Sequence, residues 1–133
     1  MTATPVQTTL EERVLDWTEQ LCESLAENYK QYHRRMIEAT ENGTANLMKF
    51  RIQKGKKYYK IIQQDFDTFR DRNEYRDGGV HAFVDKKTGE IYKAASWKSP
   101  AKYVRYDMRI IKEREFVLNP MNCGWAGGYL YMR

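Results

Sequence analysis

The chain has 133 residues, 41% hydrophobic, 31% charged and 14% aromatic, with a formal net charge of +5. That length suits one globular domain able to build a core without metals or disulfides. Cys22 and Cys123 stand alone, with no Cys-x-x-Cys and no partnering histidine pattern, so no metal, cofactor or disulfide framework is expected. The positive balance invites an acidic partner: nucleic acid, an anionic membrane or an acidic protein.

The N-terminal "MTATPVQTTLEER" has neither a basic start nor an apolar run, so no signal peptide is expected and residues 1–8 read as a flexible lead. "TLEE" places Glu12 three residues after Thr9, the pattern of a capping box. Leu10, Val14, Trp17, Leu21, Leu25, Tyr29, Tyr32 and Met36 then recur at helical spacing. They predict one long helix over residues 9–42, stopped by Gly43. Its stripe suits core packing and is long enough to reach a second copy, so a homodimer through this helix stays open. Its polar side carries several acids, which argues against a membrane surface.

Residues 46–133 read as the sheet-containing part. "NLMKFRIQKGKKYYKIIQQ" predicts a hairpin turning at Lys54-Gly55, with Phe50 opposite Tyr59 and Ile52 opposite Lys57. Alternation then puts Met48, Phe50, Ile52, Tyr59 and Ile61 on a core face. Lys49, Arg51, Tyr58 and Lys60 fall on the other. The charged stretch Asp65 to Gly79 reads as a short helix and a loop. "VHAFVD" and "EIYKA" predict a second hairpin, with Val84 opposite Ile91, Phe83 opposite Tyr92, and Gly89 at a position needing positive φ. A short helix is expected after Ser99, with Ser99 as N-cap and Pro100 in its first turn. "RIIKEREFVL" reads as a last strand, and "GYLYM" as a possible edge strand. The fold class is α+β: a long N-terminal helix on an antiparallel sheet of four or five strands. The longest uncharged run, Phe116 to Met132, carries Pro120 and three glycines and is not a membrane span.

No catalytic constellation is present, and no enzyme is expected. His81 alternates with Ala82 and reads as a hydrogen-bonded structural histidine. Asp85 and Glu90 flank a turn, and Asp65 and Asp67 lack a third ligand. "DGG" and "WAGG" lack the context of phosphate loops. Nucleic-acid binding is better supported, because cations and stacking rings share surfaces. One contact face comprises Lys49, Arg51, Tyr58 and Lys60; the other comprises Tyr92, Trp97, Lys98, Lys102 and Arg105. Trp97, between small alanines and charged lysines, reads as a half-buried ring. Single strands, whose bases are free to stack, are the favoured form. The alternative is a protein-interaction module acting through the stripe of the long helix and an exposed Trp125, Tyr129 and Tyr131 in the tail.

The segment "GGVHAFVDKKTGEIYKAASWKSPAK", Gly78 to Lys102, and the ending "GWAGGYLY" resemble small uncharacterised proteins of tailed double-stranded-DNA bacteriophages. The resemblance covers about a third of the chain and carries no site residues with it. It implies a phage accessory protein in the host bacterial cytoplasm or in the virion, with nucleic acid or a host protein as partner.

Overall fold

A computed structural model describes residues 9–34 and 47–131. Helix α1 spans Leu10–Tyr32. It begins with the expected capping box: the Thr9 hydroxyl accepts from Glu12 N, and the Glu12 carboxylate accepts from Thr9 N, both at 3.2 Å. Five strands follow: β1 Lys49–Lys54, β2 Tyr58–Asp67, β3 Glu74–Asp85, β4 Glu90–Lys93 and β5 Tyr106–Asp107. They form one antiparallel sheet in chain order, so each strand pairs with its sequence neighbour. Helix α2, Ile111–Leu118, packs beside α1 and β5.

The core lies between α1 and one face of the sheet. Val14, Leu21 and Leu25 of the predicted stripe are fully buried there, against Tyr59, Ile61, Ala82, Val84 and Ile91. The stripe is therefore consumed within the chain over this span, while Leu10 and Tyr32 at its ends are exposed. The expected continuation through Met36 to Gly43 lies outside the described residues. The C-terminal segment closes the same face. Ser24 Oγ donates to Leu118 O at 2.5 Å, Asn28 Nδ2 to Pro120 O at 2.7 Å, and Trp125 N to Asn28 Oδ1 at 3.0 Å.

The first hairpin departs from its expected register. Phe50 pairs with Gln63 and Ile52 with Ile61. A two-residue turn of the tight primed kind needs positive φ. Gly55 does not have it. The strands are instead joined through Gly55–Lys57, with Gly55 N donating to Tyr58 O at 2.9 Å. The shift is by an even number of residues, so the side each residue faces is unchanged. The second hairpin pairs as expected, Val84 with Ile91 and Phe83 with Tyr92, and Gly89 has φ 76°.

Four further expectations are corrected. The stretch Asp65 to Gly79 is mostly the end of the longest hairpin, held by the Phe66–Tyr75 ring pair at 5.1 Å. Only one 3-10 turn, Phe69–Asp71, remains of the expected helix. Helix formation after Ser99 is delayed until Ile111. Ser99 does not cap a helix, because its carbonyl accepts from Ala95 N and Ser96 N, and Pro100 bridges to Ala94. Arg109–Leu118 is not a strand, for a strand burying Val117 would bury Glu113 and Glu115 beside it. Helix α2 buries Val117 alone. "GYLYM" supplies a 3-10 turn at Gly128–Leu130, with no strand among its described residues.

Gly89 tests the second hairpin. A Cβ there would stand 3.4 Å from Val14 Cγ2 in a left-handed backbone. Gly89→Ala should destabilise the fold by roughly 1–2 kcal/mol in urea denaturation. Gly79→Ala, with open space around its Cβ position, should cost under about 0.5 kcal/mol.

Candidate nucleic-acid interface

A sheet covered by helices on one side must present its other side to solvent or to a partner. The outward side chains of β2, β3 and β4 are set by alternation: Tyr58 and Lys60, Phe83, and Tyr92. Phe83 is only 2% exposed although it lies outside the main core cluster. The Tyr58 ring meets it edge-on at 5.7 Å, Tyr58 in turn meets Tyr92 at 5.9 Å, and the Lys60 ammonium stands 5.6 Å from the Phe83 ring centre. Burial against these neighbours raises the Tyr92 phenol above its usual pKa, so it is a neutral donor at pH 7.

Around Phe83 lies a pocket of about 200 Å³. Lys56, Lys57 and Lys60 line it from the first hairpin, and Lys98 from the β4–β5 connection. Among the described residues none of these four lysines has a carboxylate within ion-pair distance. Trp97, next to Lys98, is 47% exposed. Its loop is held by Ser96 Oγ, which accepts from Lys98 N and Ser99 N at 3.2 Å. The structure thus brings together Tyr58, Lys60, Tyr92 and Lys98 of the expected residues.

The opposite end of the same face is charge-compensated. Arg51 makes a two-pronged contact with Asp77, Nε to Oδ1 at 2.9 Å and Nη2 to Oδ2 at 2.6 Å. This pairing, joined by Gln64, draws the Asp77 carboxyl down to about 2 and raises Arg51. Lys49 stands 4.2 Å from the centre of the Tyr75 ring. Lys102 is exposed on the far part of the β4–β5 loop. Arg105 is a structural clasp. Its Nε donates to Leu130 O, and its Nη1 to the carbonyls of Lys102 and Tyr103, each at 2.6 Å. Tyr103, held this way, has φ 73° and is 68% exposed.

Two contributors were not anticipated. Lys56 and Lys57 belong to the pocket because the connection is longer than a two-residue turn. The run "GKK" was the available signal. The expected tail patch is only partly realised. Trp125 is half-buried, edge-on to Tyr29 at 5.1 Å, and the Tyr129 hydroxyl lies 2.7 Å from His81 Nε2. Tyr131 alone of the three is exposed.

The His81 contact follows from a bulge. Ile61 pairs with Ala82 but Ile62 with Val80, so His81 is the extra residue. It turns to the helix side, where Ala82 also lies, and meets Phe50 at 5.4 Å. Burial lowers its pKa from 6.5 to about 4, so the imidazole is neutral at pH 7. Cys22 and Cys123 are buried, and burial pushes their thiols up to about 12 and about 11, which makes them inert. Among the described residues no three His, Cys, Asp or Glu side chains come together as a metal site. No described helix is long and apolar enough to cross a membrane.

The sequence matches a family of unknown function, DUF7717, over residues 1–132. The chain belongs to this family. No curated protein and no solved structure matches it. In this DUF7717 chain the site therefore rests on the geometry above.

Because burial depresses the folded-state pKa of His81, its neutral ring contributes stability that is fully present above pH 6.5 and is lost as pH falls toward 4. The His81 imidazole resonances should titrate with a midpoint near 4 in an NMR pH series. A midpoint near 6.5 would show that the ring is not sequestered with Tyr129.

Proposed function

We propose that this protein is a non-catalytic phage accessory protein that binds single-stranded nucleic acid in the host bacterial cytoplasm. The observation that carries the binding is the lysine pocket over Phe83. Four lysines with no ion-pair partner among the described residues line it together with Tyr58, and the exposed Trp97 precedes Lys98 in the chain. A phosphate chain supplies the missing anions, and unpaired bases supply faces for the rings. The Lys60 ammonium, 5.6 Å from the centre of the Phe83 ring, has no ion-pair partner among the described residues, which keeps the cation available to an anion. The phage context rests on the resemblance of Gly78–Lys102.

Relative to the expected site, the contact surface is narrower at one end and extended at the other. Arg51 is already neutralised by Asp77, so its contribution is small. Lys49 and Lys102 lie at the margins. Arg105 supports the loop that carries Lys98 and Trp97.

A second reading is a protein-interaction module, a host-directed inhibitor or a virion component. It is favoured by the exposed Ile110 and Ile111 at the start of α2 together with Tyr131. A host protein retained on the immobilised chain after nuclease treatment supports it.

Fluorescence titration with an oligothymidylate separates the readings. Affinity should fall with salt, and Lys60→Gln/Lys98→Gln should weaken binding and flatten the log–log salt slope by about 1.4, two contacts at roughly 0.7 each. No binding at low salt removes the proposal. Trp97→Ala should leave stability within about 1 kcal/mol of the parent, since half the ring is already in water. The same change should weaken binding by roughly 1–3 kcal/mol.

A further inference from the structure

A second pocket, of about 370 Å³, lies away from the lysine pocket, where the end of the β4–β5 loop meets α2 and the C-terminal tail. That volume is at the low end of the roughly 300–1,000 Å³ typical of small-molecule sites. Its walls are aromatic. Tyr106 and Phe116 stack at 5.7 Å and 22°, and Tyr106 and Tyr129 at 5.9 Å and 29°. The hydroxyls of two of its three tyrosines are already used: Tyr106 donates to Tyr129 O at 2.9 Å, and the Tyr129 hydroxyl bonds His81. An occupant therefore meets rings, with few free polar groups inside.

Two cations stand in the lining, Arg105 and Lys112. Lys112 is exposed and has no ion-pair partner among the described residues. Arg105 differs from a surface arginine. Its Nε and Nη1 are fixed on three backbone carbonyls, yet among the described residues no carboxylate pairs with it and its Nη2 has no hydrogen bond. A guanidinium immobilised in this way has already lost its side-chain entropy and still offers two N–H donors to an oxyanion. The one acid in the lining, Glu113, accepts from Asp107 N through Oε1. Tyr131 completes the mouth, with the Lys93 ammonium 4.9 Å from its ring centre.

We propose that this groove binds one nucleotide. The base lies among Tyr106, Phe116 and Tyr131, and the phosphate meets Arg105 Nη2 and Lys112 Nζ. A lipid tail would leave the fixed guanidinium without an anion, and an apolar peptide side chain would leave both cations idle. The nucleotide comes either free or as the end of a single strand. The inference goes beyond the lysine pocket and does not depend on it.

The test is NMR titration of the full chain with thymidine 5′-monophosphate, with thymidine and inorganic phosphate as parallel arms. The monophosphate should move the Tyr106, Tyr131 and Lys112 resonances and bind at least tenfold more tightly than either fragment. Lys112→Glu and Val104→Trp, both at exposed positions, should each weaken it at least tenfold while the remaining spectrum shows a folded chain. Lys60→Gln/Lys98→Gln should leave it unchanged, so failure of the lysine pocket and failure of the groove are told apart. A 5′-phosphorylated oligothymidylate that outcompetes the unphosphorylated one through the groove identifies a strand end as the source. Preference for the free monophosphate identifies a free nucleotide. Unmoved groove resonances, binding untouched by both groove variants, or binding of an aromatic carboxylate in place of monophosphates would overturn the proposal.

Discussion

The burial of one sheet face under α1 is the interaction on which the rest of this structure depends. Val14, Leu21 and Leu25 take up Tyr59, Ile61 and Val84, and strand alternation then directs Tyr58, Lys60, Phe83 and Tyr92 the other way. The outward side keeps one large apolar ring, Phe83, with the Tyr58 ring and the Lys60 ammonium against it instead of a second helix. A helix over that side would have to bury unpaired ammonium groups, at a cost of several kcal/mol each. The floor of the lysine pocket and the helix-covered core are thus two consequences of a single sorting, while Lys56, Lys57 and Lys98 reach the pocket from connections.

The C-terminal segment turns that sheet into a closed unit. Its carbonyls at Leu118 and Pro120 satisfy Ser24 and Asn28 of α1, and its Tyr129 satisfies the histidine that the β2–β3 bulge turns inward. The same segment supplies Leu130 O to Arg105. Arg105 in turn holds Tyr103 in its left-handed backbone. Packing at the tail therefore shapes the β4–β5 loop, which lines one pocket through Lys98 and the other through Val104 and Arg105.

Local patterns were legible where a single period or a single turn residue decides the outcome. The Thr9–Glu12 capping box, the Val14–Leu25 part of the α1 stripe and the Gly89 turn stand as read. The first hairpin shows how far such reading goes. Its faces were right and its register was not, because alternation carries only even–odd information. The error had a visible symptom: pairing Ile52 with Lys57 sets a lysine on the core side, and the true register moves Lys57 into the connection. The segment Ser99–Leu118 was misread because Ser-Pro is a local helix signal that the Ala94–Pro100 bridge overrides. Of the site, Tyr58, Lys60, Tyr92 and Lys98 follow from strand parity and proximity to the second hairpin. The Arg51–Asp77 neutralisation and the Arg105 clasp require partners 26 and 25 residues away. No local pattern encodes them. The groove is assembled from three segments and had no signature of its own.

The central claim is that the uncovered face of the sheet, at its lysine-rich end, is where a nucleic-acid strand sits. Lysine acetylation footprinting with and without saturating oligothymidylate tests it directly. The account predicts that Lys56, Lys57, Lys60 and Lys98 lose reactivity together, while Lys30 on α1 keeps its own. Equal protection of all lysines, or protection confined to the helix side, would contradict it.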